Sequence, residues 1–231
     1  MTDQYFLELI ELIIEVITIL ITLTAGIIEL RLNPKNWLNR WFATFFFSAS
    51  LGYLAFMVYH LITCSGCEGI VISIMIIAQI FFNIISISLV MTVLILEKSQ
   101  KVAVNKKYLG FMIIILILIS FGYYIWTPYL DPVLYEQGII NTKTPDIWYA
   151  FVNFTRIGLL IFVLYKYAII IRKTEGETKR RIQWFFIGII IVVIGLITNL
   201  IGGIIDLILI ESVALILLNI GAIVIVKGFF M

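Results

Sequence analysis

Charged residues are scarce in this sequence, and the scarcity excludes a soluble globular domain. Asp, Glu, Lys and Arg make up only 13% of the 231 residues, about half the usual share of roughly 25%. Hydrophobic residues account for 62%. Since a helix needs roughly 20 apolar residues to cross a bilayer, the length has room for about seven spans and for no soluble catalytic domain. The composition therefore predicts an all-α polytopic membrane protein.

Histidine and catalytic motifs are equally scarce. His60 is the only histidine, which excludes a proton relay or a metal centre built from several histidines. The sequence has no H-E-x-x-H, no G-x-S-x-G and no Walker-type loop. Lys227 stands near the end of the last span instead of at its middle, so we do not expect a retinal Schiff base either. We therefore expect neither enzymatic activity nor a cofactor.

Seven apolar segments separated by polar connectors predict one seven-transmembrane-helix bundle domain over residues 1–231. The first segment has no basic region before its apolar run, so we expect it to be retained and not removed as a signal peptide. Asn33 and Pro34 end this first helix, and three further prolines mark a long connector over 127–146. The expected spans are 6–30, 42–62, 70–96, 108–126, 147–171, 182–205 and 212–230.

Basic residues are distributed very unevenly between the two ends of these spans. Of the 16 Lys and Arg residues, 14 fall after the first, third and fifth spans or at the carboxyl end, and only Lys143 and Arg156 fall on the other side. Basic connectors stay in the cytoplasm. We therefore expect a multi-pass protein of the cell membrane with its amino terminus outside, its carboxyl terminus in the cytoplasm and an acidic outer mouth.

The first helix carries a polar line through an otherwise apolar segment. Its members recur at alternating steps of three and four residues, which keeps them on one helical face. Lipid rejects such a face, so the same chain, another chain or water has to cover it. The line consists of Glu8, Glu11, Glu15, Thr18, Thr22, Ala25 and Glu29.

Arg156 is the only basic residue in the outer half of a predicted span. An unpaired charge at that depth costs at least a few kcal/mol, so we expect an acidic partner among Glu11, Glu15, Asp206 and Glu211. Two interpretations remain open. The pair is either a structural ion pair that fixes the helix arrangement, or part of a solvated outer pocket for a charged or polar small molecule.

Two other spans carry polar or small residues on one face. Gln79, Asn83 and Ser86 share a face of the third span, and with the first helix they predict an interior that is polar towards the outside and apolar towards the cytoplasm. Glycines recur every seven residues in the sixth span, at 188, 195 and 202, which predicts close helix packing. The candidate ligand-binding residues are Glu11, Glu15, Asn83, Arg156, Asn199 and Asp206.

His60, Cys64 and Cys67 form an H-x3-C-x2-C pattern in the loop after the second span. Three such residues can contribute to a zinc site, but structural zinc wants four ligands and the sequence has no second cluster. On the external side we favour an oxidised pair or two inert thiols, and we predict no metal.

The last third of the chain carries a recognisable pattern. A basic cluster leads into KRRIQWFFIGIIIVVIGLITNLIGG, and the last span closes in GAIVIVKGFF. With Arg180, Arg181 and Gln183 at the entry and Gly188 after the first turn, this region resembles the seven-helix sensor region at the amino terminus of some prokaryotic histidine kinases. The rest of the chain is similar in topology. Those sensors continue into signalling domains, whereas this sequence stops at Met231.

The resemblance implies a receptor-like sensor that binds a small polar or lipid ligand in an outer pocket and passes its output to a separate partner. The basic connector 172–181 is then either the output surface or a contact with anionic lipid. The alternatives are a non-catalytic assembly or scaffold subunit and a small solute or cation transporter. Expected partners are the lipid bilayer and a signalling protein or a further copy of the chain, and not nucleic acid. What covers the polar line of the first helix distinguishes these hypotheses.

Overall fold

A computed structural model describes residues 2–62, 64, 66–132, 135, 140, 142–205 and 207–230. For residues 2–11, 208, 229 and 230 it describes the backbone only. Two predicted site residues are affected. Asp206 lies outside the described residues, and the side chain of Glu11 lies outside the described side chains.

The seven predicted spans are confirmed as seven helices that are long and apolar enough to cross a membrane. A short 3-10 helix, Gln100–Val104, precedes the fourth of them. The long connector contains two strands that the sequence did not predict, β1 (Tyr129–Leu130) and β2 (Thr142–Lys143), which pair antiparallel. The helices are α1 (Thr2–Leu32), α2 (Trp37–His60), α3 (Glu68–Lys98), α4 (Lys106–Ile125), α5 (Asp146–Lys173), α6 (Gly176–Ile205) and α7 (Ile208–Phe230).

Successive packing contacts close six of these helices into a ring. The order around the ring is α1, α2, α3, α5, α6, α7 and back to α1, while α4 lies outside it against α3 and α5. In this order α1 and α5 stand on opposite sides. α2, α4 and α6 end, and α3, α5 and α7 begin, at one end of the ring, here called the disulfide end. The connections 33–36, 99–105 and 174–175 lie at the other end, here called the basic end.

Glycines let α6 and α7 pack with their backbones in close contact. A Cβ at Gly188 would lie 2.8 Å from the backbone nitrogen of Ile225 and 2.9 Å from the carbonyl oxygen of Gly221. At Gly195 and Gly202 a Cβ would likewise meet α7, at 3.0 and 2.9 Å. This confirms the predicted packing role of the glycine repeat, because small residues are what allow helices to approach closely in lipid.

The polar line of α1 faces the interior of its own chain. From Glu15 to Glu29 its members are at most 5% exposed, whereas Leu20 on the opposite face is 58% exposed. The Thr18 hydroxyl contacts the side-chain oxygen of Asn219 on α7. At the basic end Asn39 of α2 donates to the Glu29 carboxylate at 3.0 Å. Neighbouring helices of the same chain therefore cover the described part of the line.

Candidate functional site

A cavity of about 890 Å³ occupies the centre of the ring. All seven helices contribute to its wall, and Tyr129, Thr142 and Lys143 of the strand pair line it at the disulfide end. From there it reaches down to Leu89 of α3 and Ile225 of α7. Its size lies within the range of small-molecule pockets, about 300–1,000 Å³.

Arg156 of α5 lines this cavity and is held from behind by α3. Its Nε donates to Oδ1 of Asn83 at 2.7 Å, and its Nη2 donates to the carbonyl oxygen and Oε1 of Gln79 at 3.0 and 2.9 Å. Asn83 is in turn fixed to α4, where its Nδ2 donates to the Ile119 carbonyl and the Ser120 hydroxyl, both at 3.1 Å. The guanidinium is thus positioned by hydrogen bonds on two of its nitrogens.

These partners of Arg156 are neutral, which differs from the predicted ion pair. Within the described part of the chain no carboxylate, Glu15 and Glu211 included, lies within 4.0 Å of its guanidinium. Amide and carbonyl oxygens satisfy its donors without the cost of burying a second charge. Of the four predicted acidic partners, Glu15 and Glu211 are therefore wrong, and Glu11 and Asp206 lie outside the described side chains. Arg156 itself is only 6% exposed.

Asn153 lies one helical turn before Arg156 on the same face of α5 and also lines the cavity. It is 2% exposed, and its Nδ2 donates to the Tyr149 carbonyl at 3.0 Å. Its Oδ1 is buried and accepts no hydrogen bond from any described group. A buried acceptor left in this way costs about 1–3 kcal/mol, so a donor from a bound molecule would stabilise it.

The wall opposite Arg156 carries an acidic group and aromatic rings. Glu15 of α1 is 4% exposed and lines the cavity with Tyr53 and Phe56 of α2 and Phe82 of α3. Tyr53 and Phe82 pack edge to face with ring centroids 5.4 Å apart. Because α1 and α5 stand on opposite sides of the ring, Glu15 and Arg156 lie on opposite walls of the cavity; Lys143, Asp146 and Glu211 also line it.

Tyr149 links α5 to α6 beside the part of the cavity nearest the disulfide end. Its hydroxyl donates to the Asn199 carbonyl at 2.9 Å, and a Cβ at Gly203 would lie 2.7 Å from that hydroxyl oxygen. Only glycine leaves space for the ring at this point. The side chain of Asn199 is partly buried and its residue lines the cavity.

The six residues predicted as ligand contacts divide into three groups. Glu15, Arg156 and Asn199 line the cavity, while Asn83 is fully buried behind the Arg156 guanidinium and holds it in place. Glu11 and Asp206 fall outside the described side chains. The sequence interpretation missed Asn153, although an amide three residues before a membrane-buried arginine was a usable signal.

At the disulfide end Cys64 and Cys67 are joined to each other, with Cα atoms 5.5 Å apart. The oxidised pair favoured from the sequence is therefore present. A zinc site is excluded in this state, because both cysteines are in the disulfide and neither is available as a thiolate ligand. Across the described residues, no group of three His, Cys, Asp or Glu side chains is placed to hold a metal ion.

Comparison with known proteins adds no relative: no family model, curated protein or solved structure matches this chain.

Proposed function

We propose that this chain is a receptor-like membrane sensor that binds a small polar or lipid ligand in the central cavity and couples to a separate partner. The observation that carries the proposal is the pairing of a buried arginine, held by neutral groups, with the unpartnered Oδ1 of Asn153 on the same cavity wall. A few polar groups that point into a largely apolar pocket are typical of a binding site. The resemblance to sensor regions of histidine kinases agrees with this role.

The orientation belongs to the same proposal. Lysines and arginines are concentrated at the basic end, and the disulfide is at the other end. Basic connectors remain in the cytoplasm, and disulfides persist outside reducing compartments. The amino terminus and the cavity mouth therefore face outwards, and the carboxyl terminus faces the cytoplasm of a multi-pass cell-membrane protein.

The coupling route follows α3 and α5, which are joined at two levels. Near the cavity, Arg156 of α5 bonds to Gln79 and Asn83 of α3. Towards the basic end, Lys166 of α5 and Glu97 of α3 form an ion pair at 2.7 Å. A ligand that engages Arg156 shifts α5 against α3, and the displacement reaches the basic connectors through the lower pair.

Amide hydrogen exchange tests this function. The full chain in lipid nanodiscs is exposed separately to a bacterial polar-lipid extract and to a water-soluble metabolite extract. One extract is expected to change exchange both in the cavity helices and in the basic connectors 99–105 and 174–175, and Arg156→Gln is expected to abolish both changes. A change confined to the cavity helices would contradict the coupling, and no change with either extract would contradict ligand binding.

The inward polar line separates this proposal from the scaffold alternative. That alternative rested on a second chain covering the line, and helices of the same chain cover its described part instead. Transport keeps the same cavity but requires a path to the basic end. In the described residues, the cavity lining towards that end is apolar, with Leu89, Ile189 and Ile225, which favours binding over passage of a polar solute.

A further inference from the structure

We propose that the ligand is an anionic amphiphile whose carboxylate or phosphate binds Arg156, whose adjacent donor group binds Oδ1 of Asn153, and whose apolar tail lies in the lower cavity, the part nearest the basic end. This inference rests on the proposed function, because it names the class of ligand that the sensor cavity takes.

The head follows from the charge of Arg156. A guanidinium stays cationic throughout the physiological pH range, and its fork of donors matches carboxylate and phosphate oxygens. The hydrogen bonds that it donates to Asn83 and Gln79 fix its orientation without neutralising it. Among the described residues, Arg156 is the cation that lines the cavity from a helix, whereas Glu15, Asp146 and Glu211 are acids, so an anionic head gains most by binding at Arg156.

The unpartnered Oδ1 of Asn153 specifies what stands beside the acid. Since Asn153 and Arg156 are one turn apart on α5, one ligand group can reach both. An acceptor needs a donor, so the group next to the anion carries a hydroxyl, an amine or the proton of a singly ionised phosphate. A simple inorganic halide or a fully ionised sulfate does not meet this requirement.

The apolar tail of the ligand is inferred from the residues that line the lower cavity. On α6, Ile189 lines the cavity ten residues below Asn199, which corresponds to about 15 Å at 1.5 Å per residue. Leu160, Val192, Leu218 and Ala222 line the same region. Water finds few hydrogen-bond partners in such a space. An alkyl chain, in contrast, is stabilised there because its apolar surface is removed from water. A head at Arg156 therefore continues naturally into a tail that points to the basic end.

The test measures binding of dodecyl phosphate to the full chain in a neutral detergent. Dodecanol and dodecyltrimethylammonium provide the same tail with other heads, and inorganic phosphate provides the head alone. We expect dodecyl phosphate to bind most tightly, and Arg156→Gln to weaken it at least about tenfold, the size of a lost charge-assisted bond. Arg172→Gln, on the same helix but at the basic end, is the matched control and should leave binding unchanged.

Two further variants keep the test decisive if Arg156→Gln folds poorly. Asn153→Leu keeps Arg156 but removes the Oδ1 acceptor together with the Nδ2 bond to Tyr149. It is expected to weaken dodecyl phosphate several-fold and to leave dodecyltrimethylammonium, which has no hydrogen-bond donor, unchanged. Ala222→Phe fills the lower cavity and is expected to weaken every dodecyl probe. Equal binding of dodecanol or dodecyltrimethylammonium, sensitive to Ala222→Phe, would overturn the anionic class but leave the sensor pocket standing. If neither Arg156→Gln nor Ala222→Phe alters binding of any probe, the pocket itself is wrong.

The source of the amphiphile is distinguished in a second arm. The protein is placed in phosphatidylcholine nanodiscs that contain phosphatidic acid, and retained lipid is identified by native mass spectrometry. Retention of phosphatidic acid by the wild type and its loss in Arg156→Gln assign a membrane lipid. Binding of dodecyl phosphate from water without such retention assigns a soluble amphiphile.

Discussion

Two buried asparagines beside Arg156 have opposite hydrogen-bonding states. Asn83 is fully buried, and its side chain donates to α4 and accepts from Arg156. Asn153 donates once through Nδ2, and its Oδ1 is unpartnered among the described groups. The same residue type therefore stabilises the fold at one position and is expected to serve binding at the other.

Replacing each asparagine by leucine separates these roles. Asn83→Leu removes the acceptor of a buried charged donor, which costs about 1.5–3 kcal/mol, so the apparent melting temperature in detergent should fall clearly. Asn153→Leu relieves an unpaired acceptor and should leave the melting temperature equal or higher. Each variant is the control for the other. If Asn83→Leu and Asn153→Leu destabilised the protein equally, Oδ1 of Asn153 would have a hydrogen-bond partner that stabilises the fold.

At this scale the sequence predicted which residues are buried better than it predicted their partners. The spacing of the polar line placed Glu15, Thr18 and Thr22 on one covered face, because helical periodicity alone determines that. The partner of Arg156 depends on which helix stands next to α5. Periodicity carries no information on that neighbour, and an acid was expected where the amides of α3 are found.

The α6–α7 pair is the element whose packing depends most directly on single residues. Gly188 and Gly221 face each other, and a Cβ on either would lie within 3.0 Å of the other's carbonyl oxygen. Backbone cannot move aside as a flexible side chain can. The predicted glycine repeat therefore determines how closely this antiparallel pair packs.

Gly188→Ala should lower the stability of the bundle by about 1–3 kcal/mol, the usual cost of overpacking. The matched control is Gly158→Ala on α5, where a Cβ meets no atom within 4 Å. There the better helix propensity of alanine should stabilise by about 0.5–1 kcal/mol. Apparent melting temperatures in one detergent measure both changes. A Gly188→Ala protein as stable as Gly158→Ala would refute the close α6–α7 packing.

Element bounds were largely predictable, since runs of about 20 apolar residues between polar connectors have few other interpretations. The strand pair, Tyr129–Leu130 with Thr142–Lys143, was not. Strands of two residues are too short to show alternation. They matter here because β2 lines the mouth of the cavity.

The whole molecule is a closed ring of six helices with α4 outside it. The sequence indicates seven spans but not their order around a ring, because every span carries a lipid-compatible face. That order places Glu15 and Arg156 on opposite walls of one cavity, which makes them parts of one candidate site. The proposed outward mouth and the proposed anionic ligand both depend on this arrangement of the helices.

Thiol labelling in intact cells tests this account most directly. Glu15→Cys and Val16→Cys are neighbours on α1, and Val16 is 38% exposed on the outer face of the helix. The native cysteines are joined to each other and do not react. With a charged, membrane-impermeant thiol reagent added outside the cells, Glu15→Cys should be labelled through the cavity mouth and Val16→Cys, surrounded by lipid, should not. Labelling of Val16→Cys alone, or of neither variant, would contradict an outward-open cavity beside the polar line of α1.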